Sequence, residues 1–228
     1  AVGDIYNGIA LLPGVQAAGE SGKLMVRGGD SREAQTFIDE MHVLSPYTYT
    51  PENSAARGRY SPFLFEGINF SSGGFSSDYS QSLSSVLPLT TKDESPVTKI
   101  GVSLLSVGMG GGGTKAWANS SLSFNGDYQN IGPYNKLFPD SYDWINPYQR
   151  ISGESQFRKT LANKGIWKTY LAYDRTSFAQ HTSEAFNPIN RRLDFEEDNL
   201  YLNSTFRKTL GKGYKFFSGI AVSSNKKR

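Results

Sequence analysis

A glycine-rich run is the first feature of this sequence whose spacing could support chemistry. Gly108, Gly110 and Gly113 match a dinucleotide-binding loop, in which a helix begins at the last glycine and its amino end holds a pyrophosphate. The residues that follow, TKAWANSSLSFN, favour a strand over a helix. We therefore expect a glycine-rich hairpin or bend here and no nucleotide site.

Other residue types that could support catalysis or bind a metal are sparse. The two histidines, His42 and His181, have no second ligand at metal spacing, and the chain has no cysteine. Carboxylates adjoin at Asp93-Glu94 and at 196–198, but adjacent residues on a strand or loop point apart, so solvated loop charge is the simpler interpretation. The sequence predicts no catalytic residue, no metal ligand and no cofactor.

Composition and charge limit the class of protein. Of the 228 residues, 37% are hydrophobic and 13% aromatic, which suits an all-β protein with polar faces better than a helical bundle. The net charge of +3 is too small to indicate a nucleic-acid partner. Residues 1–94 carry 6 Lys/Arg against 11 Asp/Glu, whereas residues 95–228 carry 18 against 10. Two such halves could attract each other, although ordinary compositional drift gives the same difference.

Residues 1–94 predict short elements of mixed type. Asp4 is placed to cap a helix over residues 4–12, and residues 77–82 could add one helical turn or two. A loop rich in proline and tyrosine spans residues 45–62. Short strands are predicted at 23–27, 36–39, 42–44 and 86–91, the last with Pro88 at a sheet edge or a bulge.

From Thr98 onward, apolar and polar residues alternate with the period of a β-strand. Leu200 and Leu202, for example, alternate with Asn199 and Asn203. Segments of about 10 residues with one apolar and one polar face are typical of transmembrane β-strands. A water-soluble β-sandwich has the same period, and alternation alone favours the sandwich. No apolar run reaches the roughly 18 residues that a spanning helix requires.

The lengths of the connections favour a membrane barrel instead. Tight turns are predicted at 163–165 and 211–213, and long connections at 128–150 and 179–198. Outer-membrane barrels alternate short periplasmic turns with long outer loops in this way, and a sandwich has no reason to do so.

The strand count follows from the side on which the 128–150 loop lies. If that loop is on the outer side, residues 97–127 must hold three strands. Their turns are then expected near 108–113 and 118–120. The sequence therefore predicts seven strands.

Residues 1–94 also carry a set of short motifs in a fixed order. They are LPGV at 12–15, VRGG at 26–29, FIDE at 37–40 and SSGGFSSDYSQSLSSVLPLTTK at 71–92. In this order they resemble the plug domain of TonB-dependent outer-membrane receptors, and the segments RGRYSPFLFEG and SSGGFSSDYSQ resemble receptors of Bacteroidetes-type bacteria. The match departs from the family's pattern at Ser80 and Ser84-Ser85, where glycine is usual, and at Val26, where isoleucine is usual.

The resemblance implies an α+β plug domain at 1–94, followed at 95–228 by antiparallel transmembrane β-barrel strands, about seven of a 22-strand barrel. On this interpretation the chain is a fragment. It implies active import of a scarce nutrient, such as a siderophore, cobalamin, glycan or peptide, across the outer membrane of a Gram-negative bacterium. The plug would gate the barrel lumen, and no enzyme activity is expected.

The resemblance also implies partners. They are the small-molecule or oligomeric nutrient, outer-membrane lipid, and a TonB-type energy transducer whose docking box would lie upstream of Ala1. A surface lipoprotein that acts as a lid is a further candidate.

Functional residues are implied in the plug. Arg27 resembles the family's buried arginine, which latches the plug to glutamates of the barrel wall that could lie beyond Arg228; the alternative is a surface strand residue. The long plug loop would face outward and contact ligand, or would merely pack against the wall. Its ligand candidates are Tyr47, Tyr49, Arg57, Arg59 and Tyr60.

A soluble all-β module that binds glycan or protein is the alternative function. It predicts that the apolar faces of 98–223 meet in a closed core. The receptor predicts that those faces are turned toward hydrocarbon and that the polar faces surround the plug.

Overall fold

The computed structural model describes residues 4–18, 22–51, 54, 56–66, 68–79, 82–93, 97–140, 142–161, 164–184, 187–211 and 213–228. The predicted domain boundary at 94/95 lies outside these described residues. Among them, no helix is long and apolar enough to cross a membrane.

The elements before residue 94 are called the plug. They are α1 (Ile5–Ile9), β1 (Val15–Ala18), β2 (Lys23–Val26), β3 (Ala34–Ile38), β4 (Met41–Val43) and β5 (Ser85–Leu89), with a 3-10 turn at Pro62–Leu64. Strands β1 and β2 form an antiparallel pair. The order of the other sheet is β4-β3-β5, with β3 and β5 parallel. Pro88 therefore lies in an edge strand of that sheet, as predicted.

The elements from residue 99 onward form one open sheet, called the wall. They are β6 (Lys99–Leu105), β7 (Gly108–Trp117), β8 (Ser120–Asn130), β9 (Asp143–Thr160), β10 (Gly165–Glu184), β11 (Asn187–Gly211) and β12 (Tyr214–Lys227), with α2 (Gly132–Leu137) between β8 and β9. Each strand pairs antiparallel with the next, and β6 and β12 are the two edges. The prediction of seven strands is confirmed.

Helix α1 forms where the sequence supplies a cap. The Asp4 carboxylate accepts hydrogen bonds from the backbone N–H groups of Tyr6 (3.0 Å) and Asn7 (3.4 Å), which otherwise lack intrahelical partners. The helix is shorter than the predicted 4–12 and buries Ile5, Tyr6 and Ile9. Each such apolar side chain contributes about 1.5–3 kcal/mol by its burial.

The glycine run lies inside strand β7, not at a turn. The predicted turn near 108–113 is wrong, since β6 and β7 are joined at residues 106 and 107. A Cβ atom at Gly112 would lie 2.7 Å from the Phe124 carbonyl oxygen, and one at Gly113 would lie 2.8 Å from that of Lys99. Close approach of neighbouring strands therefore explains these glycines. No helix begins at Gly113, which excludes the dinucleotide-loop geometry.

Three other predictions about connections need correction. Residues 179–198 are almost entirely strand, because the arms of β10 and β11 continue to pair with each other up to Glu184 and Asn187. The 128–150 connection is shorter than predicted, since β8 ends at Asn130 and β9 begins at Asp143. Residues 77–79 form a turn and not a helix, and residues 80 and 81 lie outside the described part of the chain.

The two faces of the wall are the reverse of those of a soluble sheet. Polar side chains such as Gln156 and Asn203 are 0% exposed on the face toward the plug, whereas Leu171 and Leu202 on the other face are 39% and 38% exposed. Other exposed apolar side chains are Leu122, Phe124, Ile151, Trp167, Leu200, Phe216, Ile220 and Val222. Among the described residues of 98–223, the apolar faces do not meet in the closed core that the sandwich alternative predicts.

Candidate functional site at the plug–wall interface

Arg59 of the plug makes a buried contact with the wall. Its Nη1 lies 2.5 and 2.6 Å from the carboxylate oxygens of Asp174 on β10, and its Nη2 lies 3.3 Å from Glu197 on β11. All three side chains are at most 3% exposed. The guanidinium also donates to the backbone carbonyls of Ser45 (3.0 Å) and Tyr47 (2.7 Å). A planar, five-donor group is well suited to join two carboxylates and two carbonyls at once.

The group formed by Arg59, Asp174 and Glu197 is called the upper cluster, and a second arginine extends it. Arg150 on β9 lies 3.5 Å from Asp127 and 3.9 Å from Asp174, and it donates to the carbonyl of Arg59 at 3.1 Å. Burial lowers the pKa of Arg59, but Asp174 and Glu197 raise it more, so the net shift of the pKa is upward. The Arg59 guanidinium is therefore fully charged at neutral pH.

A second ionic cluster lies nearer the short turns. The Lys168 ammonium of β10 donates to the Thr91 carbonyl (2.6 Å), lies 3.5 Å from Asp39 and forms an ion pair with Asp93. Asp93 also pairs with Arg207 of β11 at 2.7 Å. Asp39 accepts hydrogen bonds from the Thr91 N–H (2.9 Å) and hydroxyl (2.5 Å). This lower cluster fixes the end of the plug against the wall.

Neutral and singly charged contacts fill the space between the two clusters. Glu154 of β9 accepts from the Ser61 N–H (2.7 Å) and from the Tyr170 hydroxyl (2.9 Å). The Asn203 amide of β11 donates to the Ile38 carbonyl at 2.9 Å. The wall therefore supplies hydrogen-bonding partners for plug backbone that would otherwise be buried without them.

Replacing Lys168 with methionine is expected to destabilise the seated plug by about 2–3 kcal/mol, because Asp39 would keep its buried charge without a cation. Urea titration of the full-length protein, with a fluorophore on the plug, measures this change. Lys136→Met is the matched control, since Lys136 lies on the exposed surface of α2. A loss of stability equal to that of the control would contradict a structural role for Lys168.

Arg27 is the residue predicted to latch the plug to the wall. It lies in the turn after β2, with a φ of 50°, and its exposed guanidinium is beside Gly73 of the plug. No ion pair joins it to the described wall strands, whereas Arg59, Asp39 and Asp93 of the plug pair with them. Partners beyond Arg228 lie outside the 228 residues, and for them the prediction stays a prediction.

Two of the five predicted ligand residues face the wall and not solvent. Arg59 is 3% exposed, and Tyr60 is 2% exposed and packs against Tyr170 and Tyr201 with ring centroids 6.2 and 6.1 Å away. Neither can contact a ligand that arrives from solvent in this arrangement. The alternative, that this loop packs against the wall, holds for these two residues.

The other three predicted ligand residues are more accessible. Arg57 is exposed, and Tyr47 and Tyr49 are partly buried. Tyr47 packs on Tyr6, with ring centroids 4.5 Å apart, and its hydroxyl accepts from the Leu24 N–H. Burial raises the pKa of Tyr47 to about 12, so its hydroxyl is neutral at physiological pH.

Tyr49 belongs to a cluster of aromatic rings between the plug and the wall. Its ring stacks on Phe195 of β11, with centroids 3.8 Å apart, and Phe178 of β10 lies 5.3 Å from Phe195. Trp144 of β9 meets Phe178 edge-on at 6.1 Å. This aromatic cluster lies toward the end of the wall opposite the short turns, because the pair Phe178–Phe195 is 13 residues along each strand from the pair Gly165–Lys208 beside the short turn.

The wall residues that contact the plug were missed by sequence reasoning. Glu197 was grouped with its neighbours as solvated loop charge, yet it is 1% exposed and pairs with Arg59. On the plug side, Asp93 was placed in a similar group and pairs with Lys168 and Arg207 of the wall. The sequence contained a signal for these contacts, since Asp174 and Glu197 both occupy polar positions in the alternating strands, and those positions share the face toward the plug. In the described part of the chain, no group of three or more His, Asp or Glu residues could hold a metal ion.

Comparison with known proteins agrees with this geometry. No family model and no curated protein matches the sequence. Among solved structures, the chain is similar to the iron transporter FrpB of Neisseria meningitidis (TM-score 0.69, 13% identity) and to the ferric enterobactin receptor PfeA of Pseudomonas aeruginosa (TM-score 0.65, 12% identity). A third is the siderophore receptor PirA of Acinetobacter baumannii (TM-score 0.54, 11% identity).

The fold is a plug followed by part of a transmembrane β-barrel. The matches include 99% of this chain for FrpB and PfeA and all of it for PirA, so both plug and wall contribute to the likeness. The chain spans 39%, 38% and 46% of those three solved chains, respectively. At these identities the likeness establishes the fold alone. The predicted α+β plug with antiparallel barrel strands is confirmed.

Proposed function

We propose that this chain forms the plug and seven wall strands of a TonB-dependent receptor that imports a scarce nutrient across the outer membrane of a Gram-negative bacterium. One observation carries the proposal: the wall turns its polar face toward the plug and its apolar face away from it. A polar lumen filled by a plug and an apolar outer band are what such a barrel requires. Transport, not catalysis, is the proposed activity.

The ionic clusters supply a mechanism for gating. Ligand would bind on the side of the aromatic cluster, where Tyr49 lies between plug and wall and Arg57 is exposed. A TonB-type transducer would capture a segment upstream of Ala1 by adding a strand, and would pull on the plug. The buried ion pairs of Arg59 and Lys168 resist that force and keep their side of the plug attached to the wall. Tyr47, Tyr49 and Arg57 remain the candidate ligand contacts.

An iron chelate is the first nutrient to test, because three similar structures are named as iron or siderophore proteins. Cobalamin, oligosaccharides and peptides are the other candidates. A surface lipoprotein lid and a Bacteroidetes-type origin remain predictions from the sequence.

The test is nutrient uptake by cells that carry the full-length protein as their only receptor of this type. The probes are radiolabelled ferric siderophores, cobalamin, oligosaccharides and peptides. We expect uptake of at least one probe, and a loss of more than tenfold when the energy-transducing complex is deleted. Recovery of the protein as a soluble monomer, or uptake that is independent of the transducer, would overturn the proposal.

A further inference from the structure

The plug is bonded to only one side of the wall. Hydrogen bonds and ion pairs between described plug and wall residues go to β9, β10, β11 and β12, and to the connection before β9, where the Tyr142 hydroxyl meets Ser54 at 2.9 Å. Within the described ranges, none joins the plug to β6, β7 or β8. On that side the 3-10 turn Pro62–Leu64 packs near β8 without a hydrogen bond to it.

An open cleft of about 320 Å³ lies on this loosely held side. Phe63, Leu64 and Lys92 of the plug line one side of it, and the strands β6, β7 and β8 line the other. On the opposite side of the plug, Tyr170 and Asn203 are 0% exposed, and a second space of about 300 Å³ is lined by Glu197, which pairs with Arg59. The cleft at β6 to β8 differs because, among the described residues, no ion pair or hydrogen bond joins the plug to these strands.

Small residues on the inner face of the wall keep this cleft open. The strand register pairs Gly101 with Gly112 and Ser103 with Gly110. A Cβ atom added at Gly101 would meet nothing within 4 Å. On the bonded side, the same register row continues through Asn125 and Glu154 to Ala172, which is 5% exposed beneath the plug.

The cleft is also positively charged. Lys92 and Lys99 line it, and none of its described lining residues is a carboxylate. Partial burial, Lys99 and Arg158 together lower the pKa of Lys92, against an opposing effect of Glu66. Cations gathered in a confined space attract anions and repel other cations.

We propose that imported solute passes the plug along the cleft between Pro62–Leu64 and strands β6 to β8, and that this path favours anions. The proposal rests on the import function inferred above. It locates the opening at the part of the interface where no buried ion pair or hydrogen bond among the described residues must be broken. The two ionic clusters on β9 to β11 then keep the plug attached on their side while the cleft at β6 to β8 widens.

The first test compares two single-cysteine variants, Gly101→Cys and Ala172→Cys, in the full-length protein reconstituted in lipid vesicles. They lie in one register row, and the 228 residues contain no cysteine. Water-soluble methanethiosulfonates, one carrying a sulfonate and one a trimethylammonium group, are the probes. We expect the thiol at 101 to react at least 100-fold faster than the thiol at 172.

The same experiment tests the preference for anions. After each rate is divided by that for free cysteine, the sulfonate reagent should react with the thiol at 101 at least threefold faster than the trimethylammonium reagent. Lys92→Gln combined with Lys99→Gln should abolish this difference. Equal rates at positions 101 and 172 would overturn the location of the path, and a faster trimethylammonium reagent would overturn the preference for anions.

A second test uses uptake and separates this inference from the proposed function. A bulky thiol adduct at Gly101→Cys should reduce nutrient uptake at least tenfold, whereas the same adduct at Leu104→Cys, on the outer face, 80% exposed and outside the cleft lining, should leave it unchanged. Normal uptake with the adduct at 101 would overturn the path while the receptor function stands. Absence of uptake by the unmodified protein would contradict the receptor function, and the thiol rates would still decide the path.

Discussion

Replacing Arg59 with methionine is expected to destabilise the seated plug by about 3–5 kcal/mol. The variant removes the cation but leaves the carboxylates of Asp174 and Glu197, which are 3% and 1% exposed, buried without it. The measurement is urea titration of the full-length protein in detergent, with a fluorophore on Leu44→Cys, an exposed plug position. At common urea sensitivities the midpoint of plug unfolding should fall by at least about 1 M.

Two controls make the Arg59 result specific. Arg32→Met removes an exposed ion pair with Asp30 and should change the free energy of unfolding by less than about 1 kcal/mol. Arg59→Met combined with Asp174→Asn and Glu197→Gln removes the stranded charges, and should recover much of the lost stability. If the triple variant were as unstable as Arg59→Met alone, buried charge would not be the cause.

Replacing Leu202 with arginine is expected to cost about 2–4 kcal/mol of insertion free energy, because it places a charge on the lipid-facing surface near the middle of the bilayer. On the outer face of β11, Leu202 lies between the polar positions Asp198 and Lys208. Its partner on β10 is Leu171, which is also exposed. The measurement is reversible folding of the full-length protein into lipid vesicles.

The matched control for that variant is Leu210→Arg. Leu210 is 60% exposed and lies beyond Lys208, close to the short turn. An arginine near the interface costs only about 0–1 kcal/mol. Equal costs at positions 202 and 210 would mean that the apolar stripe does not lie in hydrocarbon.

Local features of the fold could be predicted from sequence because they depend on neighbouring residues. Asp4 caps α1 through N–H groups only two and three positions away. The alternation around Leu200 and Leu202 follows from the geometry of a strand, and it correctly predicted the strand and which residues share a face. What alternation does not determine is which face is in water, because a soluble sheet and a membrane wall share the same period.

The candidate site could be predicted less well because its partners are far apart in sequence. Arg59 lies 115 positions from Asp174 and 138 from Glu197. No short-range pattern reports such pairs, so an arginine in a tyrosine-rich loop was interpreted as a ligand contact. Arg27 is exposed within these 228 residues, and its predicted partners in the wall lie beyond Arg228.

The errors in the connections have a similar origin. Glycine is found in turns and also where strands approach closely, and only the Cβ contacts at Gly112 and Gly113 distinguish the two. Residues 179–198 have the composition of a loop, yet the arms of the β10–β11 hairpin hydrogen-bond to each other, which keeps them extended.

The most direct test of the wall's orientation is a nitroxide scan of residues 198–205 in β11, one cysteine at a time, in the full-length protein in lipid vesicles. Oxygen, which concentrates in hydrocarbon, and a water-soluble nickel chelate report the surroundings of each label. We predict oxygen accessibility with a period of two and maxima at Leu200, Leu202 and Ser204, and low accessibility to both reagents at Tyr201 and Asn203. Maxima at Tyr201 and Asn203, with labels at Leu200 and Leu202 shielded from both reagents, would contradict a lipid-facing stripe around a plug.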